Sequence, residues 1–196
     1  AVGHSMGGAA LIMAALIAPE LFKALIIYEP IIFPATFREA SQNLGQPSPL
    51  VEGARRRRTT FASREEALAN YSSKPPMNVF KEESLRAYVE YGFNDIEDTK
   101  TKQRSVVLKC LPEHEARTYE TGGTSGAWDS LPSITTSVWV LSGAIAPFQP
   151  STFAITVAER IPASTYVRWD EVGHFGPLEK PELISQYVTA VLATLS

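Results

Sequence analysis

The sequence has little cysteine, little histidine, no basic excess and no long apolar run, and each shortage excludes something. Cys110 is the only cysteine in 196 residues. No disulfide can form within the chain, which suits a reducing compartment, and a cytoplasmic location is expected. Eighteen basic residues face 21 acidic ones, so the positive surplus that holds nucleic acid or other polyanions is missing. The longest apolar run, Ala9 to Ala18, is half the roughly 20 residues a bilayer-spanning helix needs. Glycines rather than a basic leader precede it, so it is not a signal peptide either. With three histidines and one cysteine there is no cluster of zinc spacing, and no metal is expected. An initiating methionine is also absent, the first residue being Ala1.

What is there reads as an α/β chain. The segment SMGGAALIMAALIAPELF is apolar almost all round and stops at Pro19, predicting a short buried helix. KALIIYEP, up to Pro30, predicts a strand covered on both faces. Residues 31–131 are more polar and punctuated by proline, with a capping-box pattern at Ser63 and Glu66 and helical spacing of Leu85, Tyr88 and Val89. RSVVLKC reads as a strand and Pro112 to Tyr119 as a helix, so this region is expected to be a mostly helical insert. Its arginine run, Arg55 to Arg58, reads as solvated surface. After Pro132 the alternation of strand and helix returns: TTSVWVLSG, PSTFAITVAERIP, STYVRWDE, and a last helix from Pro181 with Ile184, Tyr187, Val188, Val191 and Leu195 on one face. Such alternation predicts parallel strands.

Gly3-His4-Ser5-Met6-Gly7 fits GxSxG, with Gly8 following and a predicted helix directly behind. A sharp turn of this kind holds the serine in a strained conformation, and Gly3 and Gly7 remove side chains expected to collide. Ser5 then sits at a helix N-terminus, where the amide of Met6 can support an oxyanion. A serine hydroxyl needs a base. His4 adjoins Ser5 and is expected to point away, and His114 falls in a helix of the insert. His174, in DEVGHFGPLEKPE, follows the last strand and is the candidate base.

These features together resemble the α/β-hydrolase superfamily. GHSMGG with its helix and strand, a helical insert, two further strand–helix units and a late GHFGPLEKPE look like the C-terminal part of such a fold, starting at the nucleophile elbow. The resemblance implies strands six to eight of that fold with flanking helices and an inserted cap. Residues 1–30 would hold the elbow, helix and sixth strand, residues 31–131 the cap, and residues 132–196 strands seven and eight. It also implies that the chain is a fragment, inactive alone, whose partner is the missing N-terminal half of the same fold.

The orienting acid of that family usually follows the seventh strand in a pattern like GxxDP, but here the pattern is Gly143-Ala144-Ile145-Ala146-Pro147, with Ala146 at the acidic position. Some relatives place the acid after the sixth strand, where this chain has Glu29. Glu29 is the leading candidate, with Asp170 and Asp129 as alternatives. A serine nucleophile implies an acyl-enzyme, hence hydrolysis of a carboxylic ester, or of a thioester or an activated carbon–carbon bond, without a cofactor. Trp128, Phe148 and Phe175 are candidate walls for a small apolar substrate. The competing reading is a non-catalytic protein of the same fold that binds a ligand or partner.

Overall fold

The computed structural model describes residues 1–37, 48–122, 124–147 and 149–195. The chain divides into two compact units, one of Ala1–Gly45 with Gly122–Ser196 and the other of Gln46–Thr121. In chain order the first unit begins with β1 (Val2–His4), α1 (Met6–Ile17), a 3-10 turn at Pro19–Leu21, and β2 (Ala24–Tyr28). The second unit follows with α2 (Pro49–Arg55), β3 (Thr60–Phe61), α3 (Arg64–Ser72), α4 (Glu82–Gly92), β4 (Phe93–Glu97), β5 (Arg104–Leu108) and α5 (Pro112–Thr121). The first unit then resumes with α6 (Ala127–Ser130), β6 (Ser137–Ser142), α7 (Ser151–Arg160), β7 (Ser164–Arg168), α8 (Gly176–Glu179) and α9 (Pro181–Thr194).

The first unit is built on a parallel sheet in the order β1-β2-β6-β7. Strand β2 is buried along its whole length, and its side chains alternate between two layers. Leu25 and Ile27 join Ile12, Val138, Val140 and Val157 on one face. Ile26 and Tyr28 join Leu141, Ile184 and Val191 on the other. The expectation of a strand covered on both faces therefore holds, and each such side chain contributes roughly 1.5–3 kcal/mol through burial. The face expected of the last helix also holds, with Tyr187, Val188 and Leu195 packed beside Ile184 and Val191. Helix α1 departs from expectation. Ala9, Ile12 and Ala15 are buried, but Met6, Met13 and Ile17 are exposed, so an apolar sequence all round does not mean burial all round.

The second unit carries an antiparallel sheet, β3-β5-β4, beside its helices. Its core is aromatic, with Phe61, Tyr71 and Phe93 packed against Leu85, Val89, Val106 and Leu108. The Ser63 cap is present, its hydroxyl accepting from the Glu66 amide. The reciprocal half of the box shifts by one residue, because the Glu66 carboxylate accepts from the Ala62 amide. Each arginine of the 55–58 run is ion-paired, Arg55 with Glu113 and Glu120, Arg56 with Glu52, Arg57 with Glu115 and Arg58 with Glu66.

Candidate active site

Parallel pairing sets the ends of neighbouring strands side by side. His4 is in register with Tyr28, and Tyr28 with Leu141. The ladder runs one residue further, since the Ser5 amide donates to the Tyr28 carbonyl and the Glu29 amide to the Leu141 carbonyl, both at 2.9 Å. Ser5, Glu29 and Gly143 thus follow the carboxyl ends of β1, β2 and β6, the edge at which open α/β sheets bind ligands. His174 arrives at the same edge from the loop after β7.

Ser5 has φ 55°, a left-handed conformation that costs a non-glycine residue of order 1–3 kcal/mol. It occupies the N-cap position of α1, yet its side chain makes no capping bond. The hydroxyl is instead 3.1 Å from His174 Nε2. Gly3 serves the turn as expected, because a Cβ there would lie 2.7 Å from Leu11 and 2.8 Å from the Gly7 carbonyl oxygen. The expectation for Gly7 fails, since a Cβ would meet nothing within 4 Å. The crowding falls one residue later, at Gly8, where a Cβ would lie 3.3 Å from Pro30. Met6 opens α1, so its amide is one of the donors that a helix cannot use internally.

Glu29 is fully buried, and it too has a left-handed backbone, with φ 42°. Burying a carboxylate is tolerable only when its oxygens are satisfied. Oε1 accepts from the Gly143 amide at 2.8 Å and Oε2 lies 2.7 Å from His174 Nδ1. A carboxylate only accepts, so Nδ1 bears the ring proton and Nε2 presents its lone pair to Ser5. Gly143 is indispensable to this packing: a Cβ would fall 2.4 Å from the Val172 carbonyl oxygen and 2.6 Å from that of Gly173. Ala146, where an acid was looked for, has its amide donating to Ser151 Oγ and its carbonyl accepting from Thr152 Oγ1. Of the alternative acids, Asp170 pairs with Arg168 on the surface and Asp129 is an exposed residue of α6.

The remaining candidates scatter. Phe175 adjoins the base, its ring 5.1 Å from that of His174 and edge-on to it. Trp128, half-buried, packs against the first core layer with the Arg160 guanidinium 5.1 Å above its ring. Phe148 lies outside the described residues. His114 is exposed on α5. His4 turns toward the loop of the base. Its Nε2 is 2.8 Å from the His174 carbonyl oxygen, and burial together with the neighbouring His174 pushes its pKa down to about 4.

Two further residues grip the loop of the base. The Tyr28 hydroxyl donates to the Gly173 carbonyl at 2.6 Å, and the Gly173 amide donates to Glu179 at 2.9 Å. Burial and the nearby Glu29 raise the Tyr28 phenol above its ordinary range, so it stays a donor. Sequence reasoning missed Tyr28, Gly143 and Glu179. Only Gly143 carried a signal, as the glycine that opens the GxxDP-like pattern. Among the described residues there is no metal-binding cluster of histidine, cysteine and carboxylate side chains, and no helix long and apolar enough to cross a membrane.

With the fold and this geometry in view, the chain belongs to the alpha/beta hydrolase family, whose model matches residues 1–186. It is similar in structure to the peroxisomal alpha-beta-hydrolase Lpx1 of Saccharomyces cerevisiae, with TM-score 0.77 and 18% identity over 98% of this chain and 53% of that one. E-2-(acetamidomethylene)succinate hydrolase gives 0.72 and 16%, over 98% and 65%. An esterase of Mycobacterium tuberculosis gives 0.63 and 18%, over 98% and 59%. The chain therefore spans between about half and two thirds of the length of these neighbours. No curated protein sequence matches it.

Proposed function

We propose that this chain carries the nucleophile, base and acid of a serine hydrolase that cleaves a small apolar carboxylic ester through an acyl-enzyme. The observation that carries the reading is the unbroken relay from Ser5 Oγ through both ring nitrogens of His174 to the buried Glu29. The Ser5 hydroxyl gives its proton to Nε2 as Oγ attacks the ester carbonyl, and the Met6 amide faces the charge that develops on the carbonyl oxygen. The imidazolium then returns its proton to the departing alkoxide. Water, deprotonated by the same nitrogen, releases the acid and restores Ser5. Glu29 accepts from Nδ1 throughout, holding the ring in the tautomer that can accept from Ser5.

Two supports come from outside the relay. The family is one of hydrolases, and two of the structural neighbours are named as a hydrolase and an esterase. The strain at Ser5 is also hard to account for by packing alone, since the residue forgoes its capping bond. In the whole enzyme we place a further part of the same fold against β1, an edge strand whose Val2 is exposed. The structural neighbours, each only partly covered by this chain, favour that placement.

The test is covalent labelling with a fluorophosphonate probe, followed by ester turnover. Labelling is expected at Ser5 and is expected to vanish in Ser5→Ala. An intact enzyme that resists the probe would favour the non-catalytic binding protein instead.

A further inference from the structure

The sheet alone does not set the distance between nucleophile and base. Ser5 follows β1 and His174 follows β7, and these strands are the two edges of the described sheet, with β2 and β6 between them. Three strand spacings amount to roughly 14 Å, so the loop after β7 must reach back across the ends of two strands to bring the imidazole to Ser5. Something beyond strand pairing has to hold it there.

Besides the Glu29 carboxylate on the ring, four bonds fasten the main chain of residues 172–174, and they come from four different places. The Ala144 amide, beyond β6, donates to the Val172 carbonyl at 2.8 Å. Tyr28, at the end of β2, donates to the Gly173 carbonyl, and Glu179, in α8, accepts from the Gly173 amide. The fourth is the bond between His4 Nε2 and the carbonyl oxygen of His174 itself. A carbonyl oxygen only accepts, so Nε2 is the protonated nitrogen of His4. The two imidazoles lie with ring centroids 4.9 Å apart, and Phe175 closes edge-on against both. Of the four anchors, His4 alone belongs to the nucleophile turn, one peptide bond from Ser5.

We propose that His4 is a positioning residue for the base: its Nε2–H bond to the His174 main chain ties the loop after β7 directly to the nucleophile turn and sets the distance between His174 Nε2 and Ser5 Oγ. The inference rests on the reading of Ser5 and His174 as nucleophile and base. It gives the second position of the GxSxG motif a task of its own. That residue must carry a donor at the right reach, and neither an aliphatic nor a purely aromatic side chain supplies one.

Two substitutions separate the bond from the bulk. His4→Phe keeps an aromatic ring and removes the donor, whereas His4→Gln places an amide N–H close to the position of Nε2. In the whole enzyme, fluorophosphonate labelling of Ser5, resolved into probe affinity and maximal rate, is measured beside long-range 1H–15N spectra of the histidine rings. A misplacement of about 1 Å costs on the order of 100-fold. His4→Phe is therefore expected to lower the maximal rate by about 10- to 100-fold with probe affinity unchanged, and His4→Gln to regain most of the loss. In the unsubstituted protein the ring spectra are expected to show His4 with its proton on Nε2. Wild-type labelling by His4→Phe would overturn the proposal. So would a His4 that carries its proton on Nδ1, a result that needs no variant to fold. Failure of the hydrolase reading looks different, because the unsubstituted whole enzyme would then not be labelled at all. The ring spectra of His4→Phe would decide in that case: unmoved His174 resonances overturn the tie, and displaced ones support it.

Discussion

The two units of this chain use polar side chains in opposite ways. In the first, several polar side chains are buried: Glu29, Thr136, Ser142 and Ser151 are all withdrawn from solvent. Glu29 and Ser151 each accept from a backbone amide, of Gly143 and Ala146, and Ser142 bonds to the Tyr166 hydroxyl. In the second, carboxylates and guanidinium groups pair mostly at the surface, as Arg56 does with Glu52 and Arg86 with Glu82. A buried polar group left without its partner bears the full desolvation penalty, whereas an exposed pair exchanges one set of water contacts for another. Damage should therefore be concentrated in the first unit and dispersed in the second.

The largest effect is expected at Glu29. Glu29→Gln keeps an oxygen for the Gly143 amide but turns an NH2 group toward His174 Nδ1, which moves the ring proton to Nε2 and leaves Ser5 without an acceptor. Under the proposed function, turnover of the whole enzyme should fall by about 10^4-fold, measured as kcat on a short-chain ester, with the melting temperature changing far less. Gly143→Ala comes next. Its new methyl would press on two carbonyl oxygens of the base loop, and overpacking of this kind costs about 3 kcal/mol. Denaturant unfolding should show that loss, and Ser5 labelling should slow with it.

A smaller effect is expected from acid. The half-buried His4 has its pKa lowered to about 4 from an ordinary 6.5, so between these values the unfolded chain binds a proton that the folded one refuses. The stability tied to the neutral ring is complete above about pH 6.5 and is lost as the pH falls toward 4, by up to about 3 kcal/mol. Urea unfolding at pH 7 and pH 4.5 measures it, and His4→Gln should flatten the difference. The smallest effect is expected in the second unit. Arg56→Ala breaks an exposed ion pair, and the thermal midpoint should not shift measurably at low or high salt. A clear loss of stability there would erase the contrast between the units.

Much of the first unit was legible because its signals are local. The GxSxG turn, the proline-bounded strand before Glu29 and the face of the last helix all depend on residues within one or two turns of each other. The second unit was harder. Its antiparallel sheet pairs Thr60 and Phe61 with Val107 and Val106, and a two-residue strand inside polar sequence leaves no periodicity to read. Within the site, Ser5, Glu29 and His174 could be nominated by type and order. The left-handed backbone of Glu29, the amide of Gly143 and the inward turn of His4 could not, since each depends on what lies across the sheet.

The amino-acid sequence by itself determined the elements and the chemical cast: a strained serine at the head of a helix, a carboxylate and an imidazole each placed just past a strand, and a core of alternating apolar faces. These follow from spacing and steric preference, which act along the chain. Only the tertiary structure decided that Glu29 is the carboxylate against His174 and that His4 holds the loop of the base. It did so because hydrogen bonds only a few ångströms long join residues up to 170 positions apart, and distances of that kind exist only once parallel strands have aligned their ends.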